Sequence, residues 1–150
     1  MKTALITGAS QGIGAAIADK LNDKKIKVIL VSRSKSKLKT FQKNLKFPKN
    51  SLIISKDLRS LSACNSVAKK IKKLDYLINV AGATKGGKFL NLNDNIWEDG
   101  FNLKFKAAVR LSRAFWPALK RSKGKIINIG GGAARNLSLI HISEPTRPIA

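Results

Sequence analysis

The chain is poor in the residues that staple, ligate or anchor. Its 150 residues include one cysteine (Cys64), one histidine (His141), one tyrosine (Tyr76) and 4 prolines. A single cysteine excludes an intramolecular disulfide. With only one histidine beside it, a zinc-type cluster would also lack its usual ligands. No apolar run approaches the roughly 18 residues a membrane helix needs. The apolar start, Met1 to Thr7, is too short for a signal peptide and is followed by no small-residue cleavage site. The expectation is therefore a cytoplasmic protein with no membrane partner. Aromatic residues make up 6%, too few for a base-stacking platform on single strands. Hydrophobic residues reach 43%, enough for a packed core in one domain or part of one.

Acidic residues are scarce as well: 8 against 30 Lys and Arg, a formal charge of +22. Such a surface attracts polyanions regardless of their sequence. The cations fall on the polar faces of helical stretches, as in 35–46 and 69–73, and do not gather in one basic tail. This placement fits an ordinary enzyme surface with no specific nucleic-acid partner. Non-specific polyanion binding stays open as an alternative.

Short runs rich in Val, Ile and Leu at 3–7, 27–32, 51–55, 76–80 and 125–129 read as buried strands. Segments 12–24, 36–45, 61–73 and 94–120 read as helices. Ala16, Ile17 and Leu21 mark an apolar stripe on the first helix, and Val67, Ala68 and Ile71 one on the third. Trp97, Phe101, Phe105, Val109, Leu111 and Phe115 give the last helix a broad apolar face, read as core or interface, and Gly100 is a candidate bend. Strand–helix alternation implies right-handed crossovers and an α/β fold with a doubly wound parallel sheet, Rossmann-type.

Directly after the first strand comes Thr7-Gly8-Ala9-Ser10-Gln11-Gly12-Ile13-Gly14. Glycines here permit a tight turn and close backbone approach to a pyrophosphate, which then rests on the positive end of the next helix. The spacing Gly-x-x-x-Gly-x-Gly resembles the short-chain dehydrogenase/reductase family, and most closely its 3-oxoacyl-carrier-protein reductase type. Asn79-Val80-Ala81-Gly82, at the end of the fourth strand, resembles the family's Asn-x-Ala-Gly element. The resemblance implies that Gly8, Ser10, Gln11, Gly12, Ile13 and Gly14 form the pyrophosphate loop. It implies adenine contacts at Asp57 and Leu58, and places Asn79, Ala81 and Gly82 beside the inner ribose and nicotinamide. Asn102 aligns with the helix-borne Asn that holds a water in the family's proton relay. An acidic residue at the end of the second strand would repel a 2′-phosphate. The chain has Ser32 and Arg33 there, then Lys35, so NADP(H) is expected over NAD(H).

Two features depart from the family. Ile127-Asn128-Ile129-Gly130-Gly131 places Gly131 where relatives carry a carbonyl-polarising Ser, and Ser138 is too far along to substitute. No Tyr-x-x-x-Lys pair occurs, and Tyr76 sits inside a strand. Residues 137–147, Leu-Ser-Leu-Ile-His-Ile-Ser-Glu-Pro-Thr-Arg, match the translation of a transposase library adaptor. The expected organisation is an incomplete cofactor-binding domain over 1–136, truncated after the fifth strand, and a non-native tail over 137–150 that carries His141. The parent is expected to be an oxidoreductase acting on a small-molecule or acyl-carrier carbonyl substrate, with a homo-oligomeric assembly and this piece inactive. A non-catalytic nucleotide binder is the second reading, motivated by Gly131.

Overall fold

The computed structural model describes residues 1–82 and 87–130. Five parallel strands form one sheet in the order β3-β2-β1-β4-β5: β1 (Thr3–Thr7), β2 (Lys27–Ser32), β3 (Ser51–Ser55), β4 (Tyr76–Asn79) and β5 (Lys125–Asn128). Leu5 lies opposite Ile29 on one side and Leu77 on the other. Because successive side chains on a strand point to opposite faces, β1 feeds two cores. Leu5 joins Ile29, Val31 and Leu77 under Val67, Leu111 and Phe115, while Ala4 and Ile6 join Val28, Leu30 and Ile78 under Ala18 and Leu38. A strand buried on both faces carries no alternation, which is why β1 and β2 read as continuous apolar runs.

Helix α1 (Gly12–Asp23) and α2 (Lys35–Lys43) cover one face, and α3 (Leu61–Lys70) and α5 (Ala107–Ser122) the other. The helix starts are set by capping: Ser34 Oγ accepts from Lys37 N–H, and Ser60 Oγ from Ala63 N–H. Asn93 caps α4 (Asp94–Phe101) in the same way, through Ile96 N–H. On α3 the expected stripe of Val67, Ala68 and Ile71 faces the core, joined by Cys64. On α1 the stripe is shifted. Gly14, Ala18 and Asn22 are the buried residues, Ile17 and Leu21 flank them, and Ala16 faces solvent.

The long fourth helical segment also differs from expectation. Between α4 and α5 the backbone opens into a π-helical turn over Asn102–Lys106, so the irregularity follows Gly100 by two residues. The extra residue in that turn rotates α5 relative to α4. Ala107, Leu111, Phe115 and Ala118 meet the core, while Trp97, Phe101, Phe105 and Val109 are each more than 40% exposed. That row forms a solvent-facing ladder, with Trp97 stacked on Phe101 at 6.2 Å and edge-on to Phe89 at 6.4 Å. Among the described residues no helix is long and apolar enough to cross a membrane.

Candidate functional site

Strand order reverses between β1 and β4: β1 is followed outward by β2 and β3 on one side, and by β4 and β5 on the other. Crossover helices leave to opposite faces at such a point and open a crevice beyond the strands' carboxyl ends. The loop Gly8–Gly12 sits there. Gly8 and Gly12 adopt left-handed backbone, with φ of 63° and 59°, a region that costs glycine nothing. Gly14 is required for a different reason. A Cβ there would fall onto the carbonyl oxygen of Gly8 and lie 2.8 Å from its carbon. Gln11, at the N-cap of α1, gives no side-chain bond to the first turn, and no acidic residue occupies that turn. The helix therefore presents N–H donors and positive dipole to the crevice, which suits an anion.

The cleft encloses about 380 Å³. Gly8, Ser10, Gln11, Gly12, Ile13 and Gly14 line it together with Ser32, Arg33, Leu58, Ala81 and Gly82. Asp57, Asn79 and Asn102 are not on the lining. Ser34, Lys37, Lys56, Val80 and Leu103 complete the wall. Lys35, the second cation singled out after Ser32, is also absent from it. Lys37, two residues further on, takes the place because α2 begins at Lys35 and turns Lys37 back toward the strand ends.

Asp57 is held by its neighbour. Arg59 donates to its carboxylate from Nε at 3.0 Å, from a terminal nitrogen at 2.7 Å and from the backbone N–H at 3.1 Å. The other arm of the same guanidinium grips Asp99 of α4 at 2.8 Å. Arg59's hydrogen bond holds the Asp57 carboxyl below the usual carboxylate range, against the opposing effect of partial burial. Leu58 is thereby anchored, 3% exposed, on the cleft wall beyond β3. Asn79 lies beneath the floor. Its Nδ2 donates to Asn128 Oδ1 at 2.8 Å, and its own Oδ1 is buried without a partner among the described residues. Asn102 opens the π turn, and it is the following residue, Leu103, that reaches the cleft. Gly131, Ser138 and the 137–150 tail lie outside the described residues. Tyr76 is a half-buried strand residue paired with Ala4 and Lys125.

Thr7 opens the glycine motif, but its role there was not read from the sequence. It is 2% exposed, and its Oγ1 accepts from the N–H groups of both Val80 and Ala81 at 2.9 Å. This pulls the backbone out of the ladder after Asn79 and ends β4 one residue earlier than its apolar run suggests. It also fixes the far wall of the crevice against the glycine loop. Ala81 stands so close to Gly8 that a Cβ there would meet it at 3.1 Å.

The profile of the short chain dehydrogenases matches residues 2–142. The chain belongs to the short-chain dehydrogenase family. It is 36% identical over 129 residues to the 3-oxoacyl-(acyl-carrier-protein) reductase of Rickettsia typhi, covering 85% of this chain and 53% of that protein. It is 31% identical over 133 residues to an uncharacterized oxidoreductase of Staphylococcus epidermidis, covering 85% and 57%. The chain thus spans about half the length of the curated relatives it matches. Among solved structures, a metagenomic short-chain oxidoreductase in complex with NADP superposes with a TM-score of 0.80 at 33% identity, covering 86% of this chain and 61% of that one. An actinorhodin polyketide ketoreductase with NADPH gives 0.84 at 27% identity, covering 92% and 56%. This oxidoreductase family binds nicotinamide dinucleotides, and the crevice fits one on three counts. Gly12 faces open space, with nothing near where a Cβ would stand, α1 offers uncapped N–H donors, and Ser32 Oγ is buried without a partner among the described residues. No group of three His, Cys, Asp or Glu among the described residues could hold a metal.

Proposed function

We propose that this chain is the NADP(H)-binding part of an oxidoreductase that interconverts a carbonyl and an alcohol, of the 3-oxoacyl reductase type. The observation that carries the cofactor choice is the charge at the β2 end of the cleft. Arg33, Lys37 and Lys56 converge there beside Ser32, and among the described residues no Asp or Glu is on the lining. A 2′-phosphate finds charge-assisted donors there, whereas a bare ribose finds no carboxylate to accept its hydroxyls. Gly8, Gly12 and Gly14 shape the pyrophosphate seat, with Ser10, Gln11 and Ile13 beside it. Leu58 and Asp57 take the adenine side, and Asn79, Ala81 and Gly82 the inner ribose and nicotinamide. Asn102 is assigned the water of the proton relay. The bound cofactor supplies or accepts the hydride, and the chain's part is to fix its orientation and shield it from water.

The test is a charge reversal. Arg33→Asp should weaken NADP⁺ by roughly tenfold or more and leave NAD⁺ unchanged or tighter, since one charged hydrogen bond is worth about 1.5–3 kcal/mol. Equal losses for both dinucleotides would sink the assignment.

Residues 137–147 are read as an adaptor translation and are assigned no part in the site. The solvent-facing ladder of Trp97, Phe101 and Phe105 supports self-association of the parent. Sequencing the source gene past codon 136 separates enzyme from non-catalytic binder. A Tyr-x-x-x-Lys pair supports the reductase, and its replacement supports a nucleotide binder.

A further inference from the structure

Lys104 occupies a position that the motifs do not mark. It lies in the π turn Asn102–Lys106, the kind of local widening that re-aims side chains and recurs at functional sites. Its stem runs over Gly82. A Cβ on that glycine would stand 2.9 Å from Lys104 Cγ and 3.2 Å from Cδ. Gly82 forms one wall of the dinucleotide cleft, and the preceding Leu103 lines that cleft directly. On its other side Lys104 borders a larger groove of about 860 Å³, shared with Asn128. Asn128 is the residue whose amide holds Asn79. Lys104 is not itself on the cleft lining; it stands behind Gly82, between cleft and groove, at the carboxyl ends of β4 and β5.

Its charge has no carboxylate to satisfy it among the described residues. Glu98, on the preceding helix, pairs with Lys106 at 3.9 Å, and neither cavity has an acidic residue on its lining. With the 2′-phosphate at Arg33, as proposed above, strand order fixes which end of a dinucleotide this cation would meet. Arg33 and Leu58 follow β2 and β3, the glycine loop follows β1, and Gly82 follows β4. A dinucleotide laid across the strand ends with its diphosphate on the loop places its adenosine over β2 and β3. Its nicotinamide riboside then lies over β4 and β5. The hydrocarbon stem of a lysine can pack on a glycine surface while its ammonium stays in the polar cleft mouth.

We propose that Lys104 is the cationic contact for the nicotinamide side of the bound dinucleotide, donating to the ribose hydroxyls and the adjacent phosphate. The assignment rests on the reading of the cleft as a dinucleotide site, and the test separates the two. The chain and its Lys104→Met, Lys104→Arg and Lys120→Met variants are titrated calorimetrically with NADP⁺ and with 2′,5′-ADP, which lacks the nicotinamide nucleotide. Lys120, exposed near the end of α5, controls for the loss of one positive charge. Lys104→Met should weaken NADP⁺ by roughly tenfold, the range of one charge-assisted bond at an open site. Lys104→Arg should largely restore it. Binding of 2′,5′-ADP should be the same throughout, and Lys120→Met should match the unmodified chain with both ligands. Unchanged NADP⁺ affinity in Lys104→Met, or an equal loss for both ligands, overturns the role of the lysine alone. An unmodified chain that binds neither ligand overturns the dinucleotide reading, and the lysine's role with it.

Discussion

Replacing Thr7 by Val removes a hydroxyl while keeping the volume and branching of the side chain. In the folded chain that oxygen accepts two backbone N–H groups, from Val80 and Ala81, both at 2.9 Å. Neither donor has a ladder partner to fall back on, because β4 ends at Asn79. A buried donor left unsatisfied costs about 1–3 kcal/mol, and partial access of water at the crevice puts each of these at about 1.5 kcal/mol. Their sum is then about 3 kcal/mol, which for a chain of this size lowers the melting temperature by roughly 10 °C. Thr7→Ser keeps the acceptor and loses only a methyl group, about 1 kcal/mol. Melting of both variants, followed by circular dichroism, should rank unmodified, Ser, Val with the larger gap before Val. A Thr7→Val variant that melts within about 2 °C of the unmodified chain, or no earlier than Thr7→Ser, would refute the staple. The same substitution should weaken dinucleotide binding, since it frees the wall formed by Ala81 and Gly82.

Gly14→Ala should abolish dinucleotide binding, because its Cβ would displace the Gly8 carbonyl and with it the loop; calorimetric affinity near that of the unmodified chain would contradict this. Asp57 should titrate below its ordinary value of 3.8, since Arg59 holds it charged. A depressed folded value means that its contribution to stability is present above about pH 4 and lost as pH falls through that folded value. Carboxyl-detected NMR should show the titration moving up toward 3.8 in Arg59→Ala, and no movement would remove Arg59 as the cause. The gain in stability from this exposed pair is small, and its larger role is to hold the Leu58 loop to α4.

Much of the fold was legible in the sequence because a parallel sheet writes itself in unbroken apolar runs, and all five strands lie where those runs lie. The glycine loop was legible for a related reason. Gly8, Gly12 and Gly14 are needed for backbone geometry, so their spacing is the structure. Side-chain geometry was less visible. Ala16 fits an apolar stripe by composition, yet α1 turns Gly14, Ala18 and Asn22 inward because glycine and alanine let the helix lie close to the sheet. The run of Trp97, Phe101, Phe105 and Val109 has helical spacing, but the π turn that decides which face meets the core leaves no mark in the pattern. Pairings across distance were invisible. Nothing in the sequence ties Arg59 to Asp99, or Asn79 to Asn128, and Lys37 and Lys56 could not be told from the chain's other cations until the fold brought them to one end of one cleft.

The central claim is that the crevice at the β1–β4 switch binds NADP(H) specifically on a surface that attracts any polyanion. The most direct test is a titration of the chain with NADPH, followed by cofactor fluorescence, at low salt and again at raised salt. The account predicts saturable one-to-one binding that survives the raised salt, is competed by 2′,5′-ADP, and is not competed by an equal charge of inorganic polyphosphate. Binding that fails to saturate, or that vanishes with salt as counterion-driven association does, would contradict it.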